Sequence, residues 1–224
     1  MEEKELQDEL ASIRSLMERS SKFISLSGLS GILAGVYALI GAGIAYMLID
    51  NASANRYIFL NGVKTHVPLM VTNAPVFTRY IIDRSLVWEL AGVAGAVLLA
   101  SVITAFLLSS RQAKRKGQSM WGAVSRSLLF HMVVPLVTGG ILTLIFLFRG
   151  YYSVVSPACL IFYGLALVSA SNFTFGEVKY LGLLEIALGL IAACLPGFGL
   201  LFWALGFGVL HIIYGSMMYF KYDK

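Results

Sequence analysis

The chain has 224 residues, of which 58% are hydrophobic and 13% charged, and its formal net charge is +5. A soluble domain carries about 25% charged residues, and several apolar runs here exceed the ~18 residues that mark a transmembrane helix. The basic residues gather at the edges of those runs, without the basic stripe and interleaved aromatics of a nucleic-acid binder. Composition therefore excludes an ordinary soluble domain and gives no sign of a nucleic-acid partner; it defines one membrane domain in contact with the lipid bilayer.

The first twenty residues do not read as a signal peptide, which would open on a basic region followed by a short apolar core. Here Glu2, Glu3, Glu5, Asp8, Glu9 and Glu18 outnumber Lys4, Arg14 and Arg19. Residues 1–22 predict a cytoplasmic amphipathic helix instead. Leu6, Leu10, Ile13 and Met17 recur at spacings of four, three and four, so they share one narrow face. The acidic balance argues against an anionic lipid surface as its partner. The seam is coiled-coil-like and fits a second copy or a partner helix through residues 5–20. A helical extension of the first span, resting on the cytoplasmic loops, fits equally well.

Six spans follow, at about 23–49, 86–109, 127–148, 153–171, 177–195 and 198–220, with a tail at 221–224. The predicted fold class is all-α: a polytopic bundle of six transmembrane helices with an N-terminal cytoplasmic amphipathic helix. The outer loop 50–85 carries alternating stretches on either side of Asn61-Gly62, a hairpin-turn signal, and predicts a small folded cap. Arg149-Gly150 and Pro196-Gly197 predict tight outer turns.

Orientation follows from the Lys and Arg count of the loops. With the N-terminus inside, twelve basic residues fall on the inner side, against Arg56, Lys64, Arg79, Arg84 and Arg149 outside. Trp88, Trp121, Tyr151, Tyr152, Tyr180 and Tyr219 fall near the interfaces, as an aromatic belt would. Cys159 and Cys194 lie inside apolar runs and form neither a disulfide framework nor a C-x-x-C site.

Ionisable residues inside a span are costly and demand a reason. Glu89, His131, Glu185 and His211 are the candidates. Each lines up with small or polar residues: Glu89 with Ser85, Gly92 and Ala96; His131 with Ser127 and Thr138; Glu185 with Gly182 and Gly189; His211 with Gly208 and Gly215. Small residues mark close helix approach, so all four are expected to point into the bundle. Tyr37 sits on a similar stripe in the first span, with Ser30, Ala34 and Gly41. At a rise of ~1.5 Å per residue, Glu185, His211 and His131 lie about 9, 13 and 6 Å in from the cytoplasmic side. Glu89 lies near the outer edge. Counting away from Pro196-Gly197 sets Glu185 opposite a residue near 208, one turn from His211, and predicts a contact between the two.

Three readings of that contact stand open. It is polar glue, worth ~0.6 kcal/mol on average in membrane proteins. It is a proton-linked or ion-linked transport site, since a carboxyl group in a dry place can hold a proton at neutral pH. Or, with His131, it is a metal site of two histidines and a carboxylate, although no H-E-x-x-H spacing supports one. No cofactor is predicted: the chain lacks a P-loop, a dinucleotide fingerprint, a haem-attachment motif and a selectivity-filter pattern. That leans away from an enzyme and toward a non-enzymatic interaction or scaffold module, with a small-solute or ion carrier as the alternative and a metal-dependent intramembrane enzyme behind it.

Two resemblances bear on function. The six-span plan, the long outer loop and His211 in Gly208-x-x-His211-x-x-x-Gly215 look like the rhomboid intramembrane proteases. That family needs a Gly-x-Ser nucleophile in its fourth span, and Gly164-Leu165-Ala166 has alanine there, so no serine hydrolase follows. The stretch Glu9-Leu10-x-x-Ile13-Arg14-x-Leu16-Met17-Glu18-Arg19-Ser20-Ser21-Lys22-Phe23, running into Ser27-Gly28-Leu29-Ser30-Gly31, resembles a group of uncharacterised bacterial membrane proteins of similar length. The resemblance lies mainly in the N-terminal third. It implies a bacterial inner membrane location and no activity.

Overall fold

The structure is a computed structural model that describes residues 27–54, 57–60, 63–66, 84–115, 117 and 121–223. The predicted N-terminal helix, with Leu6, Leu10, Ile13 and Met17, lies outside the described residues, as does most of the loop 50–85.

Helix α1 spans Gly28–Ala54, α2 Arg84–Arg115, α3 Ala123–Arg149, α4 Tyr152–Ala170 and α5 Glu177–Cys194. The last helix runs continuously over Gly199–Asp223. It is built from α6 (Gly199–Trp203), a π-helical stretch (Ala204–Leu210), α7 (His211–Met218) and a second π-helical stretch (Tyr219–Asp223). Between α1 and α2, strands β1 (Tyr57–Leu60) and β2 (Val63–His66) pair antiparallel, with Tyr57 opposite His66 and Leu60 opposite Val63. The strands end and begin two residues apart in the sequence, the spacing of a tight hairpin.

Among the described residues, five helices are long and apolar enough to cross a membrane: Gly28–Ala52, Ser85–Arg115, Ala123–Arg149, Tyr152–Phe173 and Gly199–Asp223. At ~1.5 Å per residue the first of them is about 38 Å long, against the ~30 Å of a hydrocarbon core. Their outer faces are oily. Leu98, Leu99, Val102, Ile103 and Phe106 all stand exposed on α2, and Phe130, Val137, Ile141 and Leu144 on α3. Water does not tolerate apolar surface on that scale, and lipid does. The chain is a membrane protein. Helix α5 has 18 residues; with Glu177, Lys179 and Glu185 in its sequence it falls outside that set of five.

Turn chemistry sets where the helices stop. Gly150 ends α3 in the left-handed conformation at φ 80°, and its N–H bonds back to the carbonyl of Leu147. Gly197 turns the chain between α5 and the last helix at φ 97°. At the other end of the bundle, Asp223 caps α1 from across the fold. Its carboxylate accepts from the backbone N–H of Gly28 at 2.8 Å, from Ser27 Oγ at 3.1 Å and from Gln112 Nε2 on α2 at 2.7 Å. These bonds supply partners at a helix N-terminus, where the first N–H groups have none within the helix. Beside it Lys221 and Tyr222 both bond to Glu177 at the start of α5, and Tyr222 stacks on Phe175.

The helices pack as two groups of three. In the first, α1 lies between α2 and the last helix; in the second, α4 lies between α3 and α5. Glycine makes both inner seams. A Cβ on Gly35 would sit 2.6 Å from the Gly208 carbonyl, and one on Gly215 would sit 2.5 Å from Ile32 N, so α1 and the last helix touch backbone to backbone. Likewise a Cβ on Gly164 would lie 2.5 Å from the Gly182 carbonyl, and one on Gly182 2.7 Å from the Gly164 carbonyl. Gly139 lets α3 approach the ring of Phe162 on α4. Without a hydrophobic drive between helices in lipid, such close approach is what holds them. The two groups meet where α4 and α5 touch the last helix, and there Ser156 Oγ donates to the Gly199 carbonyl at 2.6 Å.

Candidate polar site at the junction of the two helix groups

The buried positions of α5 are Val178, Leu181, Gly182, Glu185, Gly189 and Ala192, a spacing of three and four that defines one helix face. Gly182 and Gly189 on that face press against α4, on Val168 and Gly164 and on Ile161 and Pro157. The only polar side chain among these six is Glu185, and it is 0% exposed. It reaches from α5 toward the last helix, where the Cα of Gly206 faces its Oε2 and the Leu160 side chain.

His211, 7% exposed, begins α7 directly after the π-helical stretch. Its Nδ1 lies 3.0 Å from the Gly206 carbonyl and 3.4 Å from Glu185 Oε1. A carbonyl only accepts, so Nδ1 carries the hydrogen. Its Nε2 lies 2.7 Å from the Tyr163 hydroxyl of α4; with a neutral ring, Tyr163 donates and Nε2 accepts. The imidazole is therefore held on both sides, and Phe207 and Tyr163 wall it in with ring centroids at 6.1 and 5.3 Å. Trp203 extends the wall, its ring tilted against Phe207 at a centroid distance of 5.4 Å.

Glu185 is not held in this way. Neither Oε1 nor Oε2 has a hydrogen-bond partner, and the 3.4 Å approach to Nδ1 lacks hydrogen-bond alignment. A buried carboxylate with no partner is costly by several kcal/mol, and a buried polar group left unsatisfied in a native fold calls for an explanation such as a catalytic role or a bound ion. The π-helical stretch is a second mark, because such stretches are rare and recur at functional sites. Here it brings the Gly206 carbonyl, five residues back along the chain, onto the His211 ring.

The other candidates lie elsewhere. His131 on α3 bonds through Nδ1 to the Ser127 carbonyl of its own helix and packs on Phe173. No three His, Cys, Asp or Glu side chains among the described residues gather as a metal site requires; His131, Glu185 and His211 do not form one. Glu89 departs from expectation more sharply. Its side chain is exposed on the outer surface of α2 and does not point into the bundle. Gly92 in line with it has open space where a Cβ would be. The physical reason is that α2 packs chiefly along α1, through Val93 and Val97 against Gly41, and Glu89 lies off that contact. A stripe of small residues permits close approach without requiring it. Tyr37 faces α2, its hydroxyl 3.4 Å from Thr104 Oγ1, and lines an apolar groove of about 250 Å³ with Ile40, Ile44 and Val97.

Sequence reading did not single out Tyr163, the Gly206 carbonyl or Asp223. Tyr163 stands beside Gly164, whose contact with Gly182 sets the α4–α5 seam; a tyrosine flanking a close-contact glycine in mid-helix is the only local signal.

The architecture is an α-helical bundle, with helices long and apolar enough to cross a membrane and a buried acid and imidazole at a junction of helix groups. No family model, curated protein or solved structure matches the chain.

Proposed function

We propose that this chain is a six-span protein of the bacterial inner membrane, with both termini cytoplasmic, and that it is an ion-linked carrier of a small solute. The observation that carries the reading is Glu185: fully buried, unbonded at both oxygens, and 3.4 Å from an imidazole that is itself anchored on both sides. Polar glue would have its bonds made. A transport site keeps an acid whose partner comes and goes. Its place where two three-helix groups meet fits a site around which one group rocks against the other. The sixth span is α5. Tight turns join it to α4 and to the last helix, so between two spanning neighbours it crosses in the opposite sense. The excess of Lys and Arg on one side supplies the orientation, and the likeness of the N-terminal third to bacterial membrane proteins supplies the compartment.

The test is uptake of a panel of small organic acids, organic cations and inorganic ions into proteoliposomes under an imposed ion gradient. Gradient-dependent uptake should disappear in Glu185→Gln. Equal uptake by wild type and that variant would remove Glu185 from the mechanism and this reading with it.

A second reading rests on the Leu6, Leu10, Ile13 and Met17 seam: a non-enzymatic module that engages a partner helix or a second copy through residues 5–20. Leu10→Cys or Ile13→Cys in native membranes should then crosslink into a dimer or partner complex, and monomer alone would refute it.

A further inference from the structure

We infer that the ion held at the Glu185–His211 contact is a proton and nothing larger. This rests on the reading of Glu185 as a transport site and narrows it to one chemical species. The first ground is space. Oε2 of Glu185 and Cδ2 of Leu160 crowd the Cα of Gly206 so closely that a methyl group there would collide with both. The side chain is 0% exposed. A sodium or calcium ion brings a shell of oxygen ligands, six to eight at 2.3–2.6 Å for calcium, and the carboxyl group has no room for one on this side.

The second ground is polarity. Nδ1 of His211 lies 3.4 Å from Oε1, and it carries a hydrogen because the Gly206 carbonyl accepts from it at 3.0 Å. An N–H aimed near a carboxylate stabilises negative charge and repels a metal cation. The Gly206 carbonyl at this contact is engaged by that same N–H. The titratable groups facing Glu185 are His211 from the last helix and Tyr163 from α4, and both are hydrogen-bonded to each other.

The geometry also gives the proton a way to be felt. With Glu185 protonated and neutral, Nδ1–H rests on the Gly206 carbonyl, the arrangement seen here. When Oε1 gives up its proton, the carboxylate becomes the stronger acceptor, and Nδ1–H moves from 3.0 Å contact with Gly206 to the oxygen now 3.4 Å away. Gly206 lies inside the π-helical stretch, so the exchange releases a carbonyl at the irregular part of the last helix. No covalent bond other than the acid's O–H is made or broken.

Infrared difference spectroscopy of the full chain in lipid nanodiscs, titrated across about pH 5 to 9, reads this directly. The carbonyl band of a protonated carboxylic acid should titrate, be absent in Glu185→Gln and persist in Glu89→Gln. The titration of the wild type should be the same in sodium chloride as in choline chloride. A band that sodium displaces would overturn the proton assignment while leaving an ion site at Glu185. The absence of any titrating band lost with Glu185 would overturn it as well. The two ideas fail separately. Uptake that needs Glu185 but follows sodium and not pH keeps the carrier and discards the proton. Uptake indifferent to Glu185→Gln, with the band intact, keeps the proton and discards the carrier.

Discussion

Adding one methyl group at Gly164 should loosen the bundle more than any comparable change on α2. The new Cβ would stand 2.5 Å from the Gly182 carbonyl, 2.7 Å from Ile186 Cγ1 and 2.9 Å from Ile186 N. Two of those three atoms are backbone and cannot rotate away. The first contact is about 0.9 Å inside the 3.4 Å where ordinary packing begins, so α4 and α5 must part by a similar distance. A gap of 0.5–1 Å forfeits roughly a quarter to a half of each dispersion contact along the seam, and overpacking of this kind costs about 1–3 kcal/mol. Gly92→Ala is the control. It adds the same methyl group to a glycine that is also in line with small residues, yet nothing lies within 4 Å of it. There the helix should be unchanged or gain up to about 1 kcal/mol from reduced backbone freedom. Equilibrium unfolding of both variants by increasing SDS in mixed micelles, followed by circular dichroism, measures the difference. Equal losses in the two would refute the assignment of which glycine stripe is a seam.

Other outcomes follow from the same contacts. Asp223→Ala removes the acceptor of Ser27 Oγ, Gly28 N and Gln112 Nε2; it should cost about 0.5–2 kcal/mol as a lost cap does and speed amide exchange in the first turn of α1, while unchanged exchange would refute the cap. Tyr163→Phe deletes the hydroxyl on His211 Nε2 and should cost about 0.6 kcal/mol, at most ~1.7, in the same SDS titration; no loss would mean the bond is not formed in the bilayer. A cysteine at Tyr151 should react with a membrane-impermeant maleimide in intact cells, whereas one at Lys114 should react only after permeabilisation; the reverse pattern would invert the orientation.

The helices were legible because apolar runs and turn residues are local signals. Gly150 and Gly197 sit at the two turns that Arg149-Gly150 and Pro196-Gly197 predict. The approach of Glu185 to His211 was legible for a related reason: a short turn fixes the register of the two helices it joins. Tyr163 was not, because it comes from α4, and its place depends on the Gly164–Gly182 seam between helices whose rotation no periodicity reveals. Glu89 was misread because small residues line both contact faces and open ones. The glycines mark close approach as expected, and the structure names their partners: Gly208 and Gly215 of the last helix face α1, and Gly182 and Gly189 of α5 face α4. The acid shares its helix face with Gly182 and Gly189, and the imidazole meets it from the last helix.

The grouping of helices also bears on how the protein is made. Helices α3, α4 and α5 are consecutive and can dock on one another as they emerge from the ribosome. The glycine face of α1 has no such neighbour at hand. Gly28, Gly31 and Gly35 wait through the synthesis of four intervening helices before Gly208 and Gly215 arrive to cover them. The polar junction cannot form earlier, since His211 comes with that same segment. The membrane insertion machinery, or lipid itself, must shield α1 until then, and Asp223, bonding back to Gly28, closes the group last.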